Sequence, residues 1–153
     1  MHVPDFETFK KLAGEGNLIP VFRELLADAE TPVTMLLKLT DRPRVFLLES
    51  VEGGEKWAQY SFLGADPRLI FRVRTEEVLI EENGAVRRVP HGGEPMRFLK
   101  ELLDCYRPVP LEGLPRFFGG AVGFLGYEMV RYFERLPAGN GEAPVEDEAV
   151  FLV

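Results

Sequence analysis

A chain of 153 residues, 46% hydrophobic and 28% charged, is one domain's worth and long enough to bury a core. A formal net charge of −7, with no basic run interleaved with aromatics, argues against a nucleic-acid surface, which needs clustered Lys and Arg. The single cysteine, Cys105, excludes an internal disulfide and a cysteine-rich metal site, and the distant His2 and His91, both in expected loops, argue against a His-based metal site or a Ser-His-Asp triad.

The opening Met1-His2-Val3-Pro4-Asp5 lacks the basic-then-apolar pattern of a signal peptide, and no apolar run approaches membrane-spanning length. A reducing cytoplasm is the expected compartment. Residues 5–13 read as a short amphipathic helix capped by Asp5, with Phe6, Phe9 and Ala13 at helical spacing and Gly14 and Gly16 stopping it. Leu18 to Leu26 reads as a strand bending at Pro20, although Arg23 to Ala27 could equally be helical. Thr31-Pro32 is a helix start, a cap followed by proline at the first position. Met35, Leu36 and Leu39 then line one side of a helix ending near Thr40.

The stretch from Phe46 to Gly64 reads as two strands around a loop bearing Gly53-Gly54. Strand alternation puts Val45, Leu47 and Glu49 on one face and Phe46, Leu48 and Ser50 on the other. Ser50 therefore ends an apolar row, where a hydroxyl needs a partner. In one reading it bonds a nearby backbone group and ends the strand. In the other, Glu49 and Ser50 face a small polar ligand at the mouth of a half-apolar pocket, where a carboxylate beside a hydroxyl could hold an ammonium group.

Arg68 to Arg74 alternates, with Leu69, Phe71 and Val73 facing in and Arg68, Ile70, Arg72 and Arg74 facing out. The arginine row reads as a solvated sheet face opposite Glu76, Glu77, Glu81 and Glu82 rather than as an anion site. Asn83-Gly84 within Val78 to Val89 marks a tight hairpin. Glu94 to Tyr106 reads as a helix with Met96, Leu99, Leu102, Leu103 and Tyr106 on its apolar side; Cys105 near its end reads as a small packed residue, not a nucleophile. The proline-bearing segment from Arg107 to Pro115 is a surface linker.

Residues 119–126 hold four glycines, yet the run fits neither the dinucleotide fingerprint nor the phosphate-binding P-loop. It reads as a buried strand whose glycines admit a close neighbour, followed by a helix from Tyr127 to Glu134. Residues 137–148 are loop, and Ala149 to Val153 begins a strand whose apolar face needs a partner, so the chain is expected to be a piece of a larger protein. The whole pattern predicts an α+β fold, a mostly antiparallel sheet with helices packed on one face.

Leu47-Leu48-Glu49-Ser50 followed by Tyr60-Ser61-Phe62-Leu63-Gly64 closely resembles the N-terminal region of anthranilate synthase component I. The Gly119-Gly120-Ala121-Val122-Gly123-Phe124-Leu125-Gly126-Tyr127-Glu128 run, with its Val130-Arg131-Tyr132-Phe133-Glu134 continuation, resembles the same family, as do Gly16-Asn17-Leu18-Ile19-Pro20-Val21 and Glu30-Thr31-Pro32-Val33. One position departs: Gln59 stands where the family usually has a basic residue.

The resemblance implies one lobe of a two-lobed α/β sandwich, with residues 1–153 as the N-terminal regulatory and structural domain. It implies an intact lyase that converts chorismate to anthranilate and pyruvate, using ammonia from a glutamine amidotransferase subunit. It implies that Leu48, Glu49 and Ser50 contribute to the site where L-tryptophan binds as feedback inhibitor. The catalytic residues and a magnesium ion would lie in a C-terminal catalytic domain absent from this chain, so no catalytic residue is expected here. Two alternatives remain open: component I of aminodeoxychorismate synthase, which shares the glycine-rich stretch, and a stand-alone ligand-binding module. The intact Leu-Leu-Glu-Ser and the flanking residues 51–55 favour the tryptophan enzyme.

Overall fold

The computed structural model describes residues 2–49, 60–135 and 146–153. In chain order the elements are α1 (Phe6–Leu12), α2 (Pro32–Leu37), β1 (Val45–Leu48), β2 (Phe62–Ala65), β3 (Leu69–Val73), β4 (Glu77–Glu82), β5 (Ala85–Pro90), α3 (Pro95–Asp104), β6 (Val122–Leu125), a 3-10 helix (Tyr127–Tyr132) and β7 (Ala149–Leu152). They fall into two compact units, Leu25–Arg68 and the remainder, Met1–Glu24 with Leu69–Val153.

In the larger unit five antiparallel strands form a sheet in the order β5-β4-β3-β7-β6. The β4–β5 hairpin turns at Asn83 and Gly84, whose φ values are 53° and 77°. Two consecutive positive φ angles give a turn whose twist matches that of the flanking strands, and asparagine and glycine are the residues that adopt them most readily. The chain then returns so that β7 enters between β3 and β6, with Phe71 opposite both Ile80 and Phe151.

One face of this sheet carries the core. Leu69, Phe71 and Val73 of β3, Val78 and Ile80 of β4 and Ala149 of β7 pack with Leu99 of α3 and Met129 of the 3-10 helix. Met96, Phe98, Leu102 and Leu103 of α3 close over the same cluster. The α+β expectation therefore holds, with a mostly antiparallel sheet covered by helical elements.

Segment 16–18 is laced to the end of α3. A side chain at Gly16 would lie 2.3 Å from the Arg107 carbonyl oxygen and 2.7 Å from Val109 Cγ2, so the two backbones approach closely only because glycine stands there. Asn17 donates from Nδ2 to the Cys105 carbonyl (2.7 Å) and accepts from the Arg107 N–H (2.5 Å). The Val109 N–H donates to the Leu18 carbonyl at 2.9 Å.

Several sequence expectations are corrected. Leu18 to Leu26 forms neither a strand nor a helix; it makes only single bridges, Leu18 to Pro108 and Phe22 to Val3. Ile70, expected outward, is 3% exposed. Its strand is the middle one of five and Leu79 and Leu152 lie on the same face, neighbours that the pattern of one strand cannot reveal. Arg72 and Arg74 pair with Asp147 (2.6 and 3.2 Å), and Arg74 also with Glu146 (3.1 Å), rather than with the acidic residues of the adjacent hairpin. The glycine-rich strand β6 is an edge strand, largely exposed, and the following helix is 3-10. Its glycines do admit a close neighbour: a side chain at Gly123 would meet the Val150 carbonyl oxygen at 1.9 Å. Cys105 is exposed, with its thiol 3.4 Å from the Glu101 carbonyl oxygen, not packed.

In the smaller unit β1 and β2 form a two-stranded antiparallel sheet, from Val45 opposite Ala65 to Leu48 opposite Phe62. None of its described residues is buried. Helix α2 begins as expected, with a capping box in which the Thr31 hydroxyl accepts from the Thr34 N–H (3.1 Å) and the Thr34 hydroxyl from the Thr31 N–H (2.8 Å). Glu30 pairs with Lys38 and accepts from Thr34 Oγ1, and those two hydrogen bonds, Lys38 first, lower its carboxyl pKa from the ordinary value.

Candidate functional site

Strand β1 exists because Val45-Phe46-Leu47-Leu48 is a continuous β-favouring run, and its register against β2 is locked by one glycine. A side chain at Gly64 would stand 2.2 Å from Phe46 Cε1 and 2.5 Å from Cζ, so the Phe46 ring lies over the space left there. Phe46 and Leu48 share a face, and Phe62 lies opposite Leu48 with the Tyr60 ring 6.2 Å from its own. At one end the hairpin is tied by Asp66, whose N–H donates to the Arg44 carbonyl (3.3 Å) and whose carboxylate pairs with Arg42 (2.7 Å).

The other end carries the sequence-predicted site. Leu48 is 44% exposed, and Glu49, just past the strand, is also exposed. Ser50 and Gln59 lie outside the described residues, so the structure brings together only Leu48 and Glu49 of the three candidates. Leu48 and Tyr60, itself exposed, make an apolar and aromatic patch with Phe62, while Glu49, the next residue, falls on the opposite face by strand alternation. Such a patch can receive an apolar group against its side chains.

A second cluster, in the larger unit, escaped sequence reasoning. Glu148, in an acidic loop segment by its sequence, is 2% exposed. Its carboxylate pairs with Arg131 and accepts from Thr75 Oγ1 (3.1 Å) and Tyr132 Oη (2.8 Å). Its backbone carbonyl accepts from the Gly126 N–H, and its own N–H donates to the Val73 carbonyl, both at 2.7 Å. The 3-10 helix is thus fastened at both ends to the entry of β7.

Burial raises the pKa of Tyr132, and the hydrogen bond to Glu148 adds to the rise. For Arg131 burial pulls the pKa down, but the hydrogen bond to Tyr132 and the Glu148 charge outweigh it and the net shift is upward. His91, expected in a plain loop, is buried, with its ring edge-on to Tyr132 at 5.2 Å. Its Nδ1 accepts from the Gly93 N–H (3.0 Å), which puts the ring proton on Nε2, 3.0 Å from the Arg74 carbonyl it donates to. Both ring nitrogens are used, and every oxygen of Glu148 has a partner. This cluster is therefore a structural fastening rather than a reactive centre. Among the described residues no three His, Cys, Asp or Glu side chains gather as a metal ion would require, and no helix is long and apolar enough to cross a membrane.

The larger unit is thus an antiparallel sheet under helices, and the smaller a hairpin with an exposed apolar strip. Sequence comparison gives this α+β chain its relatives. It is 41% identical over 138 residues to anthranilate synthase component 1 of Acetivibrio thermocellus, covering 90% of this chain and 28% of that protein. The proteins of the same name from Pseudomonas putida (44% over 130 residues; 84% of this chain, 26% of the relative) and Aquifex aeolicus (37% over 148; 96% and 30%) match similarly. No family model matches. Along most of its length the chain is thus similar to one part of anthranilate synthase component 1 proteins. It spans about a quarter of the length of the curated relatives it matches.

Proposed function

We propose that this chain is the N-terminal regulatory and structural domain of an anthranilate synthase component 1. The intact enzyme would act in tryptophan biosynthesis, converting chorismate to anthranilate and pyruvate with ammonia from a glutamine amidotransferase subunit. The observation that carries this reading is the similarity itself, 37 to 44% identity along 84 to 96% of the chain in the relatives named above. Catalysis, and the magnesium ion expected with it, is assigned to polypeptide outside this chain.

On this reading Leu48, Glu49 and Ser50 contribute to a regulatory L-tryptophan site. The exposed strip at the end of β1 supports it chemically. An indole can lie against Leu48 and its aromatic neighbours, and Glu49, exposed just past the strand end, supplies a carboxylate of the kind that pairs with an ammonium group. The site is shared with the catalytic domain, and tryptophan inhibits by binding one arrangement of the two domains better than the other. A ligand shifts such an equilibrium only by its differential affinity for the two states.

Calorimetric titration of this chain and of the full-length protein with L-tryptophan tests the assignment. Heat of binding in the full-length protein and none in the isolated chain is the expected pattern. In the full-length enzyme Ser50→Phe should relieve inhibition while anthranilate formation from chorismate persists. Unchanged sensitivity to tryptophan would remove Ser50 from the site. Formation of aminodeoxychorismate instead of anthranilate would overturn the enzyme assignment.

A further inference from the structure

The chain holds three asparagines, Asn17, Asn83 and Asn140, the last outside the described residues. Asn83 is followed by Gly84. An asparagine before glycine can lose its side-chain amide without an enzyme, because the next backbone nitrogen is within reach of the side-chain carbonyl carbon and glycine has no Cβ to obstruct the approach. A fold suppresses this chemistry by holding the side-chain amide and the following N–H in hydrogen bonds, and permits it by leaving them free. At Asn17 everything is held. Its Nδ2 donates to the Cys105 carbonyl, its Oδ1 accepts from the Arg107 N–H, and the Leu18 N–H donates to the Arg107 carbonyl at 3.3 Å. At Asn83 nothing is held: among the described residues neither its side-chain amide nor the Gly84 N–H has a hydrogen-bond partner. Both residues are exposed, and nothing lies within 4 Å of where a Gly84 side chain would stand.

We infer that Asn83 is a site of spontaneous deamidation, and that the isoaspartate formed there loosens the β4–β5 hairpin. The Gly84 backbone nitrogen bonds to Asn83 Cγ, its proton passes through water to the side-chain nitrogen, and the Cγ–Nδ2 bond breaks to release ammonia. A water molecule then opens the cyclic imide. Breaking the new bond between Cγ and the Gly84 nitrogen leaves aspartate. Breaking the original bond between the Asn83 carbonyl carbon and that nitrogen leaves isoaspartate, whose main chain runs through Cβ and Cγ. Nothing is oxidised or reduced, and water is the one co-reactant.

The two products act differently on the turn. Aspartate tolerates the left-handed backbone as asparagine does, and adds only a carboxylate beside Glu82. Isoaspartate lengthens the main chain by a carbon atom inside a turn whose two residues hold φ of 53° and 77°. That turn sets the register from Glu82 opposite Ala85 to Glu77 opposite Pro90. Turn type and loop length fix a hairpin's register, so the extra atom works against the pairing of β4 with β5.

Incubation of the full-length protein in mildly alkaline buffer, folded and in urea, tests the inference. Tryptic cleavage after Arg74 and Arg87 isolates Asn83 from the other asparagines, and mass spectrometry of the peptides measures aspartate and isoaspartate at each site. Asn83 should deamidate in the folded protein. Folding should slow Asn17 by about tenfold or more, the effect of holding two ordinary hydrogen bonds, and should slow Asn83 by less. An Asn83 that stays intact in the folded protein while it reacts in urea, or that folding protects as strongly as Asn17, would overturn the site. In aged protein, a share of molecules matching the isoaspartate content should exchange the β4 and β5 amides faster than the Asn83→Asp variant, which carries the same charge on an unaltered backbone. Equal exchange would overturn the loosening.

Discussion

Replacing Glu148 by glutamine keeps shape and removes charge. The carboxylate serves three side-chain donors, Arg131, Thr75 and Tyr132. A glutamine offers one carbonyl oxygen, and its NH2 group must face one of those donors, while the Tyr132 hydroxyl also lies 3.2 Å from the Thr75 carbonyl. A hydrogen bond to a charged group contributes about 1.5–3 kcal/mol. Removing one partner of a fully buried pair costs about 3–5 kcal/mol. The Arg131 side chain is 38% exposed and can recover water, which places the loss at the lower end, about 2–3 kcal/mol. The chain forms two compact units, so a single melting curve would blur the answer. Hydrogen exchange of the β3 and β7 amides in urea reports on the sheet that Glu148 fastens. Arg131→Met, alone and combined with Glu148→Gln, completes a double-mutant cycle. A Glu148→Gln variant within about 0.5 kcal/mol of the parent, the range of ordinary surface changes, would refute the view of this cluster as a fastening.

Two further outcomes follow from the same structure. Gly84→Ala forces a side chain into a backbone with φ of 77° where space itself is open, so conformational strain alone should destabilise the hairpin, by about 1–2 kcal/mol, read by exchange of the β4 and β5 amides. Tyr132 holds its proton more tightly when folded than its ordinary pKa of 10.0. The folded state therefore binds more protons above that pH, and stability should fall as pH rises from about 10 toward the raised value. Tyr132→Phe should flatten this fall in alkaline denaturation curves; an unchanged slope would show that Tyr132 is not its source.

Local chemistry made much of the fold legible. Asp5 caps α1 through the Thr8 N–H at 2.8 Å, Thr31-Pro32 opens α2, and Asn83-Gly84 turns the hairpin. Each depends on residues close in sequence, where type and spacing decide the outcome. Alternation likewise put Phe46 and Leu48 on one face, whereas the room that Gly64 leaves for the Phe46 ring came only from the structure. Ile70 failed because burial of a strand's second face depends on neighbours drawn from elsewhere in the chain. The end of the helix reading at Tyr127 failed for a related reason. The segment is held in 3-10 form between Gly126 and Glu148, a partner sixteen or more residues away from its Arg131 and Tyr132.

The sequence by itself determined the resemblance, the caps, the hairpin turn and the helical face that covers the sheet, because these rest on motifs and short-range periodicity. Only the tertiary structure decided that β7 lies between β3 and β6, that Glu148 is buried and paired, and that β6 stands at an edge. Strand order and the burial of a charge depend on which distant segments meet, and a carboxylate in a loop-like sequence becomes a core residue only when an arginine and two hydroxyls converge on it.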